Sequence, residues 1–198
     1  MWRIGITGSI ATGKSTVLEA FAELGVPVFS ADRAVAELYE GEALEPVEAL
    51  FPGVIRDGRI DRSLLSQKLA ADPAGFGRLE ALVHPMVRAR IKAFLNDAEA
   101  AGHRLAVVEV PLLFESGYDY GFDRVAVTSV DPAIQARRAL ARPGMTVEKL
   151  QTILARQLPQ AEKQKRADLV FDTGLSLAAT RNEVAAFVER LQAQQEQP

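Results

Sequence analysis

Gly8-Ser9-Ile10-Ala11-Thr12-Gly13-Lys14-Ser15 matches the pattern G-x-x-x-x-G-K-[ST] at every fixed position. The glycines permit a tight turn that aims successive backbone N–H groups at phosphate oxygens. Lys14 is placed to reach the β- and γ-phosphates, and the Ser15 hydroxyl to ligate Mg²⁺. The context fits the motif. Arg3-Ile4-Gly5-Ile6-Thr7 reads as a short buried strand. Residues 15–24 put Val17, Leu18, Phe21 and Leu24 on one helical face, and Gly25 is placed to end that helix. A helix that starts at the loop adds the positive end of its dipole. The stretch from Gly8 to Ser15, with Thr16 beyond it, is therefore expected to bind a nucleoside triphosphate.

Outward from the loop, short β-type runs alternate with amphipathic helices. Val26-Pro27-Val28-Phe29 is expected as a second strand, residues 105–110 as a third, 124–128 as a fourth and 169–171 as a fifth. A last helix over residues 177–191 has Val184, Phe187, Val188 and Leu191 in register, and the polar tail 192–198 is expected to fray. Strands alternating with helices imply βαβ units and a doubly wound parallel sheet, an α/β fold. Two stretches break the rhythm. Residues 31–102 show helical segments punctuated by Pro52-Gly53, Asp57-Gly58 and Asp72-Pro73, without a convincing buried strand, and read as an inserted helical lobe. Residues 131–168 are helical and basic, with eight Lys/Arg against four Asp/Glu. That surplus of four positive charges leaves the rest of the chain at −7 and suggests a cover over something anionic, or else a solvated face.

Composition narrows the chemistry. At 198 residues the chain is one domain with excursions, and 48% hydrophobic with 25% charged residues is ordinary for a globular protein. A net charge of −3 argues against a nucleic-acid partner. The absence of cysteine excludes disulfides, a cysteine nucleophile and thiolate metal sites, and two histidines are too few for a histidine-rich one. The most apolar stretch, residues 105–114, is ten residues long and contains Glu109 and Pro111, so no membrane span or membrane partner is expected. With no signal-peptide pattern, the expected compartment is the cytoplasm.

A nucleotide switch or motor is expected to end a strand on an aspartate that assists Mg²⁺. The best strand ends Glu109-Val110-Pro111, and no guanine-reading Asn-Lys-x-Asp is present. A kinase instead needs an acceptor-orienting base, an acceptor lobe and arginines for the transferring phosphoryl group. Ser30-Ala31-Asp32 follows the second strand, whose carboxyl end should lie on the loop's edge of the sheet, so Asp32 is the candidate base. The competing reading makes Ser30 a helix N-cap and Asp32 a partner of the helix dipole.

These residues resemble the dephospho-coenzyme A kinase family over nearly the whole chain. Leu24-Gly25-Val26-Pro27-Val28 with Ala31-Asp32 looks like the family's acceptor-activating segment. Asp57-Gly58-Arg59-Ile60-Asp61-Arg62 through Leu79-Glu80-Ala81-Leu82-Val83-His84-Pro85 looks like its coenzyme-A-binding lobe. Val110-Pro111-Leu112-Leu113-Phe114-Glu115-Ser116-Gly117 is similar to a characteristic family segment. Gln135, Arg138 and Arg142, then Gln157-Leu158-Pro159 and Glu162-Lys163, resemble its lid, while Ala167-Asp168 and Asp172-Thr173-Gly174 resemble the region beside the adenine. Ser30 and Glu109 stand where the family often has aspartates, the family often has an asparagine near Thr173, and Ile153 stands where a lid arginine is frequent, with Arg156 nearby.

The resemblance implies a P-loop kinase with core at about residues 1–30, 103–130 and 168–198, acceptor lobe at about 31–102 and lid at about 131–167. It implies transfer of the ATP γ-phosphoryl, with Mg²⁺, to the 3′-hydroxyl of dephospho-coenzyme A. Asp32, Lys14, Arg138 and Arg142 would be catalytic; His84, Pro111, Leu112, Leu113 and Glu115 would contact the acceptor. His84 before Pro85 reads alternatively as a helix start, Leu112-Leu113-Phe114 as core, and Glu115 as an exposed charge. Another P-loop small-molecule kinase and a non-catalytic ATP-binding module are the competing functions.

Overall fold

The computed structural model describes residues 1–72 and 74–195. Strand β1, Trp2–Thr7, is buried without alternation from Ile4 to Thr7, as expected of a strand covered on both faces. Gly5 is required there: a Cβ would run into the Phe122 ring. Helix α1, Lys14–Glu23, follows the loop and buries Val17, Leu18, Ala20 and Phe21. Leu24 is the exception to the expected apolar face. It sits at the C-cap, past the last helical residue, and is 48% exposed. Gly25 ends the helix in the left-handed region at φ 75°. Strand β2, Val28–Ser30, starts two residues later than expected, although the Pro27 carbonyl already accepts from Val107 N–H at 2.9 Å.

Residues Ser30–Phe94 form one compact unit. It contains α2 (Ala31–Leu38), α3 (Leu44–Leu50), β3 (Ile55–Arg56), β4 (Arg59–Ile60), α4 (Arg62–Ala71) and most of α5 (Gly75–Ala100). The hairpin β3–β4 corrects the purely helical expectation. Asp57 and Gly58 both take positive φ, 49° and 75°, the signature of a two-residue hairpin turn rather than a mere break between helices. The loop before it is held by Glu48, whose carboxylate accepts from the N–H groups of Gly53, Val54 and Ile55. Helix α5 runs unbroken through Pro85, so His84 does not begin a helix.

The second unit joins Met1–Phe29 to the chain from Leu95 onward. Strands β5 (Leu105–Glu109) and β6 (Arg124–Ser129) flank β1 in parallel, with Ile6 opposite Glu109 and Thr7 opposite Val127. Helices α6 (Pro132–Leu140), α7 (Val147–Ala155) and α8 (Gln160–Arg166) follow, then β7 (Leu169–Asp172), parallel to β6, and α9 (Leu177–Gln195). The sheet order is β2-β5-β1-β6-β7. Its core includes Phe21, Phe171 and Phe187, which meet edge-to-face with centroids 5.8–6.2 Å apart. Such pairs contribute about 0.5–1.5 kcal/mol each beyond area burial. Residues 192–195 of the expected frayed tail are helical; the rest of it lies outside the described residues.

Candidate active site

The loop leaves β1 at the centre of the sheet, between β5 on one side and β6 on the other. This is the crevice where open α/β sheets bind ligands. Gly13 takes φ 83° directly before α1, and a Cβ there would press on Thr173 at 2.9 Å. No acidic residue occupies the first turn of α1, so nothing there offsets the positive dipole end. The Lys14 ammonium folds over the loop and donates to the carbonyls of Gly8 (3.0 Å) and Ser9 (3.1 Å). Ser15 is exposed in the first turn, whereas Ser9, Ile10, Ala11 and Thr12 are buried.

Threonines brace the loop from below. Thr12 Oγ1 lies 2.8 Å from Ser9 O and 2.7 Å from Thr128 Oγ1. Thr173 Oγ1 donates to Thr12 O at 2.8 Å. Arg138, from α6, donates to Thr173 Oγ1 (3.3 Å) and Thr173 O (2.8 Å), so this arginine reaches the loop's support. Arg142 lies past the C-cap of α6 and is exposed. Two other side chains of the basic excursion grip the loop itself: Gln135 Nε2 donates to Ile10 O at 2.8 Å, and Gln157 Oε1 accepts from Ile10 N–H at 3.0 Å.

The segment after β5 is tied to α8. Lys163 is wholly buried, 2.8 Å from Glu115 Oε1, and also donates to Pro111 O at 3.4 Å. Glu115 accepts from Leu158 N–H at 2.8 Å, so its Oε1 is committed to internal partners and Glu115 is not an exposed charge. Leu113 is core, while Leu112 is 38% exposed and Pro111 half-buried. Glu109 ends β5 beside β1 and is buried.

In the unit formed by residues 30–94, Ser30 is the N-cap of α2, its side chain accepting from Arg33 N–H at 3.5 Å, and Asp32 is exposed in the first turn. Capping thus belongs to Ser30. His84 is half-buried on α5. Beside the hairpin lies a cleft of about 540 Å³, lined among others by Tyr39, Arg56, Arg59, Ile60, Arg62 and Ser63, with the Arg62 guanidinium 5.7 Å from the Tyr39 ring centre.

The candidate donors for a divalent ion are hard oxygens, the exposed Ser15 hydroxyl in the first turn of α1 and the buried Glu109 carboxylate at the end of β5. Among the described residues no three His, Cys, Asp or Glu cluster as a metal cage. That set fits Mg²⁺, which binds through few protein oxygens and takes the rest from phosphates and water. Thr12 lies in the expected phosphate-binding stretch and Thr173 in the segment expected beside the adenine, but their bracing of the loop with Thr128, like the hairpin, is not legible in the sequence. Threonine carries no motif of its own, and only the loop's return beside β6 and β7 makes Thr128 and Thr173 its neighbours. Among the described residues no helix is long and apolar enough to cross a membrane.

The family model described as CoaE, dephospho-CoA kinase, matches residues 2–178. A dephospho-CoA kinase of Rhodopseudomonas palustris is 52% identical over 186 residues, 94% of this chain and 94% of that protein. Among solved structures, the Thermus thermophilus protein TT1252 superposes with a TM-score of 0.81 at 33% identity, covering 96% of this chain and 97% of that one. Dephospho-CoA kinase from Campylobacter jejuni superposes with a TM-score of 0.74 at 27% identity, over 98% of both chains. With the nucleotide loop at the sheet's central crevice and agreement along nearly the full length, the chain belongs to the dephospho-CoA kinase family, whose fold is the α/β P-loop kinase fold.

Proposed function

We propose that this kinase transfers the γ-phosphoryl of ATP to the 3′-hydroxyl of dephospho-coenzyme A, giving ADP and coenzyme A, with Asp32, Lys14, Arg138 and Arg142 as its catalytic side chains. The observation that carries the reading is the complete phosphate loop at the switch point of the sheet, in a chain whose family acts on this acceptor. Backbone N–H groups of the stretch 8–16, other than the Ile10 N–H that Gln157 occupies, and the Lys14 ammonium bind the phosphates. Ser15 holds Mg²⁺, with Glu109 on the neighbouring strand. When bound, the ion screens the charge of the β- and γ-phosphates.

Asp32 aims the acceptor hydroxyl and takes its proton. Because the transition state is loose, that proton need not leave before attack, so an exposed carboxylate of ordinary acidity suffices. Arg138, braced on Thr173, and Arg142 offset the charge on the transferring group. His84, Pro111, Leu112, Leu113 and Glu115 are the candidate acceptor contacts, Glu115 with its Oε1 already held by Lys163 and the Leu158 N–H. Seating of α6–α8 over the nucleotide excludes water, the competing acceptor. The reaction belongs in the cytoplasm, where ATP is supplied.

The deciding experiment measures ADP release over an acceptor panel. Turnover with dephospho-coenzyme A should exceed that with AMP or shikimate by orders of magnitude, since contacts remote from the reacting centre are used for positioning. Equal turnover with a small acceptor would reassign the substrate, and no turnover with any acceptor would make the chain a binding module.

A further inference from the structure

Ile10 is held from two sides by side chains of the basic excursion. Gln135 in α6, 8% exposed, donates to its carbonyl, and Gln157, after α7, accepts from its N–H. A trans peptide is planar, with its C=O and N–H pointing in opposite directions. The bond from Gln135 to Ile10 O therefore turns the Ala11 N–H, the far end of the same peptide, away from Gln135. Ala11 has φ 59°, a left-handed conformation that costs an L-residue on the order of 1–2 kcal/mol and persists only where its surroundings over-determine it. Both glutamine bonds fall on the residue immediately before it. Ile10 and Ala11 also pack in one apolar cluster with Ala139 of α6 and Leu150 of α7.

We propose that Gln135 and Gln157 are positioning residues: by fixing both peptide groups of Ile10 they preset the phosphate-facing backbone of the loop, and so make ATP affinity depend on the seating of α6 and α7. The proposal rests on the assignment of the loop to ATP. Its chemical content is asymmetric. Position 135 requires a donor and position 157 an acceptor. Glutamate is close to isosteric at both, but at 157 it still offers an oxygen to the Ile10 N–H, whereas at 135 it sets a carboxylate against a carbonyl.

The test is calorimetric titration with ATP, with kcat, the KM for dephospho-coenzyme A and thermal unfolding measured on the same preparations. The variants are Gln135→Glu, Gln157→Glu, Gln135→Met and Gln157→Met, with Gln151→Met on the exposed surface of α7 as control. Gln135→Glu should weaken ATP binding about tenfold more than Gln157→Glu, since only the former leaves a buried acceptor unpaired. Each Met variant, which adds no charge, should weaken it about five- to tenfold, the equivalent of one hydrogen bond, with the acceptor KM unchanged. Gln157→Met, on a half-buried side chain, reads the same property if the Gln135 variants do not fold. Equal losses in the two Glu variants, or Met variants that lose thermal stability but bind ATP like the parent, would overturn the proposal. Failure of the unaltered protein to bind ATP would overturn the loop assignment and the proposal with it.

Discussion

The Lys163 ammonium, with no exposed surface, lies 2.8 Å from the Glu115 carboxylate, and the second oxygen of that carboxylate is buried without a partner among the described residues. The pair joins α8 to the segment that follows β5, and Pro111 O, which accepts from Lys163, also accepts from Thr7 Oγ1 at 3.1 Å. One ion pair thus connects the basic excursion to the strand that carries the phosphate loop.

Removing one member of such a pair leaves the other charge uncompensated. Lys163→Met should cost about 3–5 kcal/mol of stability. The double variant Lys163→Met/Glu115→Gln should recover much of that loss. Denaturant unfolding of the two variants checks this, and a double variant no more stable than the single one would show that the pair is not the cause.

Lys14→Ala should lower turnover by more than about a hundredfold, as expected when a positioned charge on the transferring phosphate is lost. Lys14 is half-buried and the change adds neither bulk nor charge, so the unfolding temperature should change far less than turnover. Near-normal turnover would show that the triphosphate is not held here.

Asp32 and Ser30 separate catalysis from capping. Asp32→Asn should reduce kcat about 10²–10⁴-fold with little change in ATP affinity, the range for a positioned base. Ser30→Ala should instead cost about 0.5–1 kcal/mol of stability and leave kcat near normal. A kcat loss below about threefold in Asp32→Asn would remove it from the chemistry.

Arg138 and Arg142 should divide along the same line. Both alanine variants should lower kcat more than they raise the acceptor KM. Only Arg138→Ala should also lower stability, by about 1–3 kcal/mol, because it alone has its hydrogen bonds to Thr173 to lose. Steady-state kinetics with thermal unfolding distinguishes the two, and wild-type kcat in both would remove these arginines from the chemistry.

Glu48 supplies a pH dependence. The N–H of Gly53, followed by those of Val54 and Ile55, holds its carboxyl below the ordinary value, with Lys68 adding a small attraction. A folded-state pKa below the unfolded one means a contribution fully present above the unfolded value, near 4.5, and lost as pH falls through the folded value. Stability should therefore decline on acidification below about pH 5, and Glu48→Gln should flatten that part of the curve. Equal slopes in the two proteins would remove Glu48 from the acid transition.

The strand, loop and helix over residues 2–23 are legible because each carries local information: an unbroken apolar run, a fixed glycine spacing and a 3.6-residue apolar period. The aromatic and aliphatic face of α9 is legible for the same reason. Leu24 is misread because periodicity does not say where a helix stops, and one residue past the end its side chain points to solvent. The β3–β4 hairpin is missed because two-residue strands offer no period, although Asp57-Gly58 signals the turn directly. Asp32 and Arg138 are candidates by their place after a strand and in the basic stretch, but the commitment of Glu115 to Lys163, 48 positions away, is a pairing that only the folded chain discloses. The contacts by which Thr128 and Thr173 brace Thr12 are invisible for the same reason.

The grip on Ile10 has a consequence for how sequences of this kind vary. Both glutamines hold main-chain atoms, which every residue type presents alike, and the side chain at position 10 need only be apolar enough to join Ala139 and Leu150. The motif writes this position as an x. Its identity is loosely specified while its backbone is firmly restrained, and the specification is stored elsewhere, in two letters 125 and 147 places further along the chain. Substitutions at Ile10 should then drift freely among aliphatic residues, and a change at Gln135 or Gln157 should be the rarer event.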